Sequence, residues 1–179
     1  LITLVDNGHK GPIQFFSLTG LLPGVQTPSE IPYERKVLTL SNIRQIIREE
    51  KRTLRVIDLI RLFRSEVVST LEKQINWSDE NRIDKDQLAL LEQDVKDATS
   101  GGNLFQTILY SLREDSYKIW RLLTYDQKTI FGKWVKPHLD IYRHAIHIEK
   151  GLKIREILRS GQLTIIGHTD DIEWKEDHF

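Results

Sequence analysis

Apolar residues recur every four positions at Leu59, Phe63, Val67, Leu71 and Ile75, drawing one stripe along a helix predicted over residues 57–75. The stripe lies in a stretch, Tyr33 to Ser100, that holds neither glycine nor proline. Strands need turn chemistry every ~8–12 residues, so an unbroken run of this length reads as helical. Ser41 is placed to cap an earlier helix over residues 42–51. Asp84 followed by Gln87 resembles a capping box that opens residues 85–98. Ser100-Gly101-Gly102 breaks the run, and Asn103 starts a helix that turns Leu104, Ile108, Leu109 and Leu112 inward. Residues 117–123 are dense in apolar groups around Trp120. Thr124 and Gln127 form a second capping box for a helix running to Trp134, which Pro137 ends or kinks for want of an amide. A last helix, residues 146–159, stops at Gly161.

The two ends follow another pattern. Leu1 to Val5 reads as the end of a helix, with Gly8 as its left-handed stop. Ile13-Gln14-Phe15-Phe16 reads as a short buried strand, followed by a proline- and glycine-rich loop over residues 18–36. Leu163-Thr164-Ile165-Ile166 reads as a second strand, and Asp170-Asp171 as a turn before Ile172-Glu173-Trp174. The expected class is α+β and mostly α, with about a hundred residues of helix held between short strands.

Composition narrows the picture. The chain has 179 residues, 39% hydrophobic and 29% charged, with formal net charge +0. That suffices for one ordinary core and excludes whole-chain disorder. No apolar run approaches the ~18 residues of a membrane span. The absence of cysteine excludes disulfide scaffolds, thiol catalysis and cysteine-based zinc sites. Charge alternates in blocks. Residues 36–75 carry nine basic and five acidic side chains, residues 76–99 three and seven, and residues 100–161 eleven and six. This resembles solvated helix faces, so neither a nucleic-acid nor a membrane partner is expected, and the expected compartment is the cytoplasm. The chain opens at Leu1 inside an apolar segment and contains no Met, which suggests that it is an internal piece of a longer protein.

Two short motifs carry a resemblance. Gly8-His9-Lys10-Gly11-Pro12-Ile13 is followed closely by Ser17-Leu18-Thr19-Gly20-Leu21-Leu22-Pro23. Together they resemble the G-H-x-G-P-I and S-R-x-G-L-L-P segments of the FAD/NAD(P)-binding protein family. More narrowly they resemble its FAD-dependent urate hydroxylase-like branch, which is related to flavin monooxygenases. Trp120-Arg121, Phe131, Trp134, Pro137 and Tyr142-Arg143-His144 are similar to that family's helical segment, and Leu158 to Leu163 is similar to its return to a strand. The resemblance implies a helical bundle inserted between strands of a partial Rossmann-like nucleotide-binding fold. Residues 1–36 would form the first nucleotide-binding piece, 37–161 the helical domain and 162–179 the returning strands. It also implies FAD and NAD(P)H as cofactors of a longer oxidoreductase acting on a small molecule, with no cofactor held by this piece alone. The family's glycine-rich phosphate loop would lie upstream of Leu1. Leu18 stands where members often carry an Arg suited to a 2′-phosphate, a bidentate contact that an aliphatic side chain cannot make, so no NADP preference is implied.

The residues themselves offer little independent chemistry. Ser17, Thr19 and Gly20 form the loop that would sit at the carboxyl end of a parallel strand, where ligands bind in open α/β folds, against the alternative of an ordinary Ser/Thr turn. His144 and His147, three apart, are expected to share a helix face that with Arg143 would contact an anionic substrate or a partner, against the alternative of plain surface or subunit-contact residues. A metal is not expected there, because a third ligand is lacking. The four tryptophans, Trp77, Trp120, Trp134 and Trp174, read as core packing rather than a flavin or sugar platform. No nucleophile elbow, zinc-protease or Walker motif occurs, so no catalytic residue is assigned. The competing reading is a non-catalytic interaction module whose stripe from Leu59 to Ile75 buries a partner helix or a second copy, and a homo-oligomer is among the expected states.

Overall fold

The computed structural model describes residues 1–27, 33–72, 74–77, 81–83 and 85–167. A short helix α1 (Ile2–Asp6) leads through a turn to strand β1 (Ile13–Phe16). Helices α2 (Leu40–Glu49), α3 (Val56–Leu71), α4 (Gln87–Thr99) and α5 (Leu104–Ser111) follow. Then come α6 (Ser116–Leu122), α7 (Tyr125–Trp134), α8 (Lys136–Arg143) and α9 (Ile148–Arg159), and strand β2 (Leu163–Ile166) completes the described elements. The chain is mostly helical, with one small parallel sheet.

Local chemistry sets the boundaries. Thr39, not Ser41, caps α2, its Oγ1 accepting from the Asn42 amide at 3.2 Å. Helix α3 stops at Leu71 rather than Ile75 because Glu72 turns left-handed with φ 52°, and a helix cannot continue through that conformation. Asp86 caps α4 by accepting from the Leu88 amide at 2.9 Å, which moves the start from residue 85 to Gln87. Asp84 lies outside the described residues. Thr124 caps α7 as expected, but Gln127 does not close a box. Its Oε1 accepts from the Val56 amide at 2.8 Å and so satisfies the first turn of α3 instead. α7 ends at Trp134 as expected, with the break at Val135 just before Pro137, but the proline does not end the helical run. It sits in the first turn of the separate helix α8, where its missing amide costs nothing.

Two apolar clusters hold the helices. In the larger, Leu38, Ile43, Leu54, Val67, Ile108, Ile119 and Leu123 meet, with Leu59, Phe63 and Ile75 packed against them. The stripe of α3 is therefore spent largely inside the chain's own core, with Leu71 left exposed at its end. In the smaller, Leu22 and Val25 pack on Leu91 and Val95, with Leu152 and Leu158 of α9 and Ile165 of β2 alongside. This cluster anchors the loop after β1 between α4 and α9.

Glu66 links the larger cluster to its covering loop. The carboxylate is fully buried and accepts from the Tyr33 hydroxyl at 2.6 Å and from the amides of Lys36, Val37 and Leu38 at 2.9, 2.6 and 2.6 Å. Burial pushes its pKa up, but these four donors outweigh burial and hold it below the ordinary glutamate value. A second buried charge, Asp94, is matched bidentately by Arg82 at 2.8 and 2.7 Å.

β1 and β2 pair in parallel, Ile13 opposite Leu163 through Phe16 opposite Ile166, although 146 residues separate them. The Ile13 amide donates to Gln162 O at 2.7 Å and the Ser17 amide to Ile166 O at 2.9 Å. The first strand is not buried as its composition suggested. Phe15 and Phe16 are 46% and 49% exposed. Two strands alone cannot cover both faces of a parallel sheet, which ordinarily needs helices on each side. The predicted turn at Asp170-Asp171 and the strand at residues 172–174 lie outside the described residues.

Candidate functional site at the carboxyl end of the parallel strands

Beyond their last paired residues, β1 and β2 run into glycines that touch. A Cβ on Gly167 would stand 2.7 Å from Gly20 Cα and 2.9 Å from Gly20 N, far inside ordinary van der Waals distance. Gly20 also adopts φ +67°, a region where a side chain is strained. Both positions therefore require glycine if the two chains are to meet as they do.

The loop before this contact is shaped by its own hydroxyls. Ser17 Oγ accepts from the Thr19 amide at 3.4 Å, and Thr19 Oγ1 accepts from the Leu21 amide at 3.3 Å. In these turns the hydroxyls act as acceptors, and each keeps a hydrogen to donate elsewhere. Farther along, Gln87 Oε1 accepts from the Leu22 amide at 3.1 Å, and Gly24 exchanges backbone bonds with Ile141 and Ile146 at 2.8 Å. Fully buried Gln106 accepts from the Thr27 amide and donates to Tyr142 O at 3.3 Å. The loop is thus tied to α4, α5 and α8 at successive points.

These ties open a cleft of about 420 Å³ between the loop and the α7–α8 corner. Ser17, Leu18 and Thr19 line one wall, and Lys136, Asp140 and His144 line the other. The second group comes from one face of α8, at successive four-residue steps. Lys136 pairs with Asp140, and His144 Nε2 stands 3.6 Å from Asp140 Oδ1, an atom with no hydrogen-bond partner that is shielded from solvent. The cleft offers hydroxyl donors opposite a nearly charge-balanced cluster. It suits a neutral polar group such as a sugar better than a concentrated negative charge.

Three expected residues meet here and three do not converge. Ser17, Thr19 and His144 line the cleft, whereas Gly20 does not line it and instead meets Gly167. Arg143 and His147 do not line it. The shared helix face expected for His144 and His147 is absent because α8 ends at Arg143, with His144 as its C-cap, while His147 caps α9. The sequence reading missed Lys136 and Asp140. Their spacing to His144 was the available signal, hidden by treating Pro137 as a terminator rather than as the start of a helix.

The tryptophans require a correction. Trp77 does pack inside, stacked on Phe105 with centroids 6.1 Å apart. Trp120 and Trp134 are 41% and 65% exposed and are surface residues, because the turns that carry them bury only Ile119. Trp174 lies outside the described residues. Among the described residues no three His, Asp or Glu side chains converge as a metal site requires. No described helix is long and apolar enough to cross a membrane. Compared with known proteins, the chain matches no family model, no curated protein and no solved structure.

Proposed function

We propose that this chain is part of a flavin- and NAD(P)H-dependent oxidoreductase, and that the cleft beyond β1 and β2 receives the ribose portion of a dinucleotide. One observation carries the reading. Two strands 146 residues apart in sequence pair in parallel and end in a close glycine–glycine contact, beside a cleft lined by Ser17 and Thr19. Open α/β folds place their ligands at this end of the strands. The residues fit a ribose, since two hydroxyls with hydrogens to donate face a cleft of suitable size. They do not fit a pyrophosphate. The sequence holds no G-x-G-x-x-G loop, and no described helix begins between Ser17 and Thr39 to present its amides to phosphate. That grip would come from elsewhere in the intact protein.

The bound cofactors would supply hydride transfer. This chain's part is to hold and orient. Ser17 and Thr19 donate to sugar oxygens, the Gly20–Gly167 contact fixes their backbone, and the α8 cluster closes the opposite wall. We assign no catalytic residue within the chain.

The test uses the complete native gene product. Protein that purifies with a flavin spectrum, or regains one with added FAD, and oxidises NADH supports the assignment. Colourless protein that takes up no FAD and leaves NADH fluorescence unchanged refutes it.

A further inference from the structure

The cleft that holds Ser17 and Thr19 is apolar over much of its lining. Leu18, Leu21, Pro23, Pro137 and Ile141 border it together with the hydroxyls. Ile141 is buried and its carbonyl accepts from the Gly24 amide at 2.8 Å, so this part of the lining is fixed. Leu18 is the opposite case, 68% exposed. A lone exposed leucine needs no explanation. One that borders a cleft beside Leu21, Pro23 and Pro137 adds to a continuous apolar surface that the chain itself leaves uncovered.

Gly132 is an independent sign. It lies inside α7, before the helix ends at Trp134, and it lines the same cleft. Glycine within a helix is destabilising relative to alanine, so a compensating reason is expected. The structural reasons fail here. Gly132 is not among the glycines with positive φ, and a Cβ on it would meet nothing within 4 Å. Gly20 and Gly167, by contrast, are required by their own contact. What remains for Gly132 is close approach of a ligand to backbone, since without a side chain the helix itself forms that part of the lining.

A ligand that fills this cleft carries a flat apolar part joined to a hydroxylated part. A free sugar would leave Leu18 and Pro137 uncovered, and an acyl chain would leave the hydroxyl hydrogens of Ser17 and Thr19 without acceptors. A nucleoside has both parts joined by a single bond, and it matches the usual make-up of small-molecule sites, a mainly apolar lining with a few placed polar groups. We infer that Leu18, Pro137 and Gly132 form a subsite for the heteroaromatic ring of a nucleoside, with Gly132 setting its width and Leu18 covering the ring. The inference rests on the reading that Ser17 and Thr19 hold the ribose. Adenine and nicotinamide share the required chemistry.

Equilibrium titration of the complete native gene product with adenosine, nicotinamide riboside and ribose tests it. At least one nucleoside should bind roughly tenfold or more tightly than ribose, and its identity names the ring. Burying the exposed part of one leucine is worth about tenfold, so Leu18→Ser should weaken that nucleoside by this factor and leave ribose unchanged. Gly132→Leu should weaken it by a similar factor while keeping or raising Tm, because leucine is the better helix former and the position is open. Two outcomes would overturn the ring subsite and leave the sugar reading standing: ribose binding as tightly as both nucleosides, or nucleoside affinity that both variants preserve while Ser17→Ala/Thr19→Ala lowers it. If none of the three compounds binds, the ring subsite and the sugar reading fall together.

Discussion

Gly167→Ala puts a methyl group where the ends of β1 and β2 meet, and its effect follows from three distances. The new Cβ would lie 2.7 Å from Gly20 Cα, 2.9 Å from Gly20 N and 3.3 Å from Thr19 C. All three neighbours are backbone atoms, so no side chain can swing aside and the two chains must part by more than half an ångström. Overpacking of this kind costs about 1–3 kcal/mol, and rigid backbone neighbours place it in the upper half, at about 2 kcal/mol or more. The sheet is four residues long and its first strand is exposed on both faces, so the cost falls on local opening more than on global unfolding. Hydrogen exchange is the direct assay. The amides of Ile13 and Ser17, which bond to Gln162 and Ile166, should lose roughly thirtyfold in protection, since 1.4 kcal/mol is about tenfold. The Ile108 region of the core should serve as an unchanged reference. Gly8→Ala is the control: Gly8 also has positive φ but nothing within 4 Å, so β1 should keep its protection. If Gly167→Ala leaves Ile13 and Ser17 as protected as before, the close contact of the strand ends is refuted.

Other expectations follow from the same geometry. Glu66→Gln should destabilise by about 2–4 kcal/mol in equilibrium urea unfolding, because an amide nitrogen must then face backbone amides that donated to a carboxylate; a loss under about 0.5 kcal/mol would contradict the loop clamp. Because the folded pKa of Glu66 is depressed, the stabilisation is present above the unfolded value of about 4.3 and is lost as pH falls through the lower folded value. The gap between wild type and Glu66→Gln should therefore narrow below about pH 4 and stay constant near neutrality. Gly132→Ala should stabilise by about 0.5–1 kcal/mol and raise Tm by a few degrees in calorimetry, since the site lies inside α7 with nothing within 4 Å; destabilisation would mean that the cleft wall is tighter than described.

How far the sequence reaches can be seen in particular residues. Helical period and breaks located nearly every helix, because Gly101-Gly102, Gly161 and the caps Asn103 and Thr124 are local signals that the fold respects. Strand positions were legible too. Boundaries failed where a side chain had a distant use: Gln127 looked like half of a capping box, yet its partner is the Val56 amide 71 residues away. Burial was the weakest inference. Trp120 and Trp134 occur at helical spacing among apolar residues, and nothing local distinguishes a face turned inward from one turned out. The cleft was half legible. Ser17 and Thr19 declare themselves by position after a strand, whereas Lys136 and Asp140 depend on α8 folding back over the loop.

The central claim is that Ser17 and Thr19 hold a nucleotide sugar, and affinity for NADH in the complete native gene product tests it most directly. Two hydroxyl hydrogen bonds at about 0.5–1.5 kcal/mol each imply that Ser17→Ala/Thr19→Ala binds NADH roughly tenfold or more weakly, with the fold intact by circular dichroism. Equal NADH affinity in the double variant and the wild type would contradict the account.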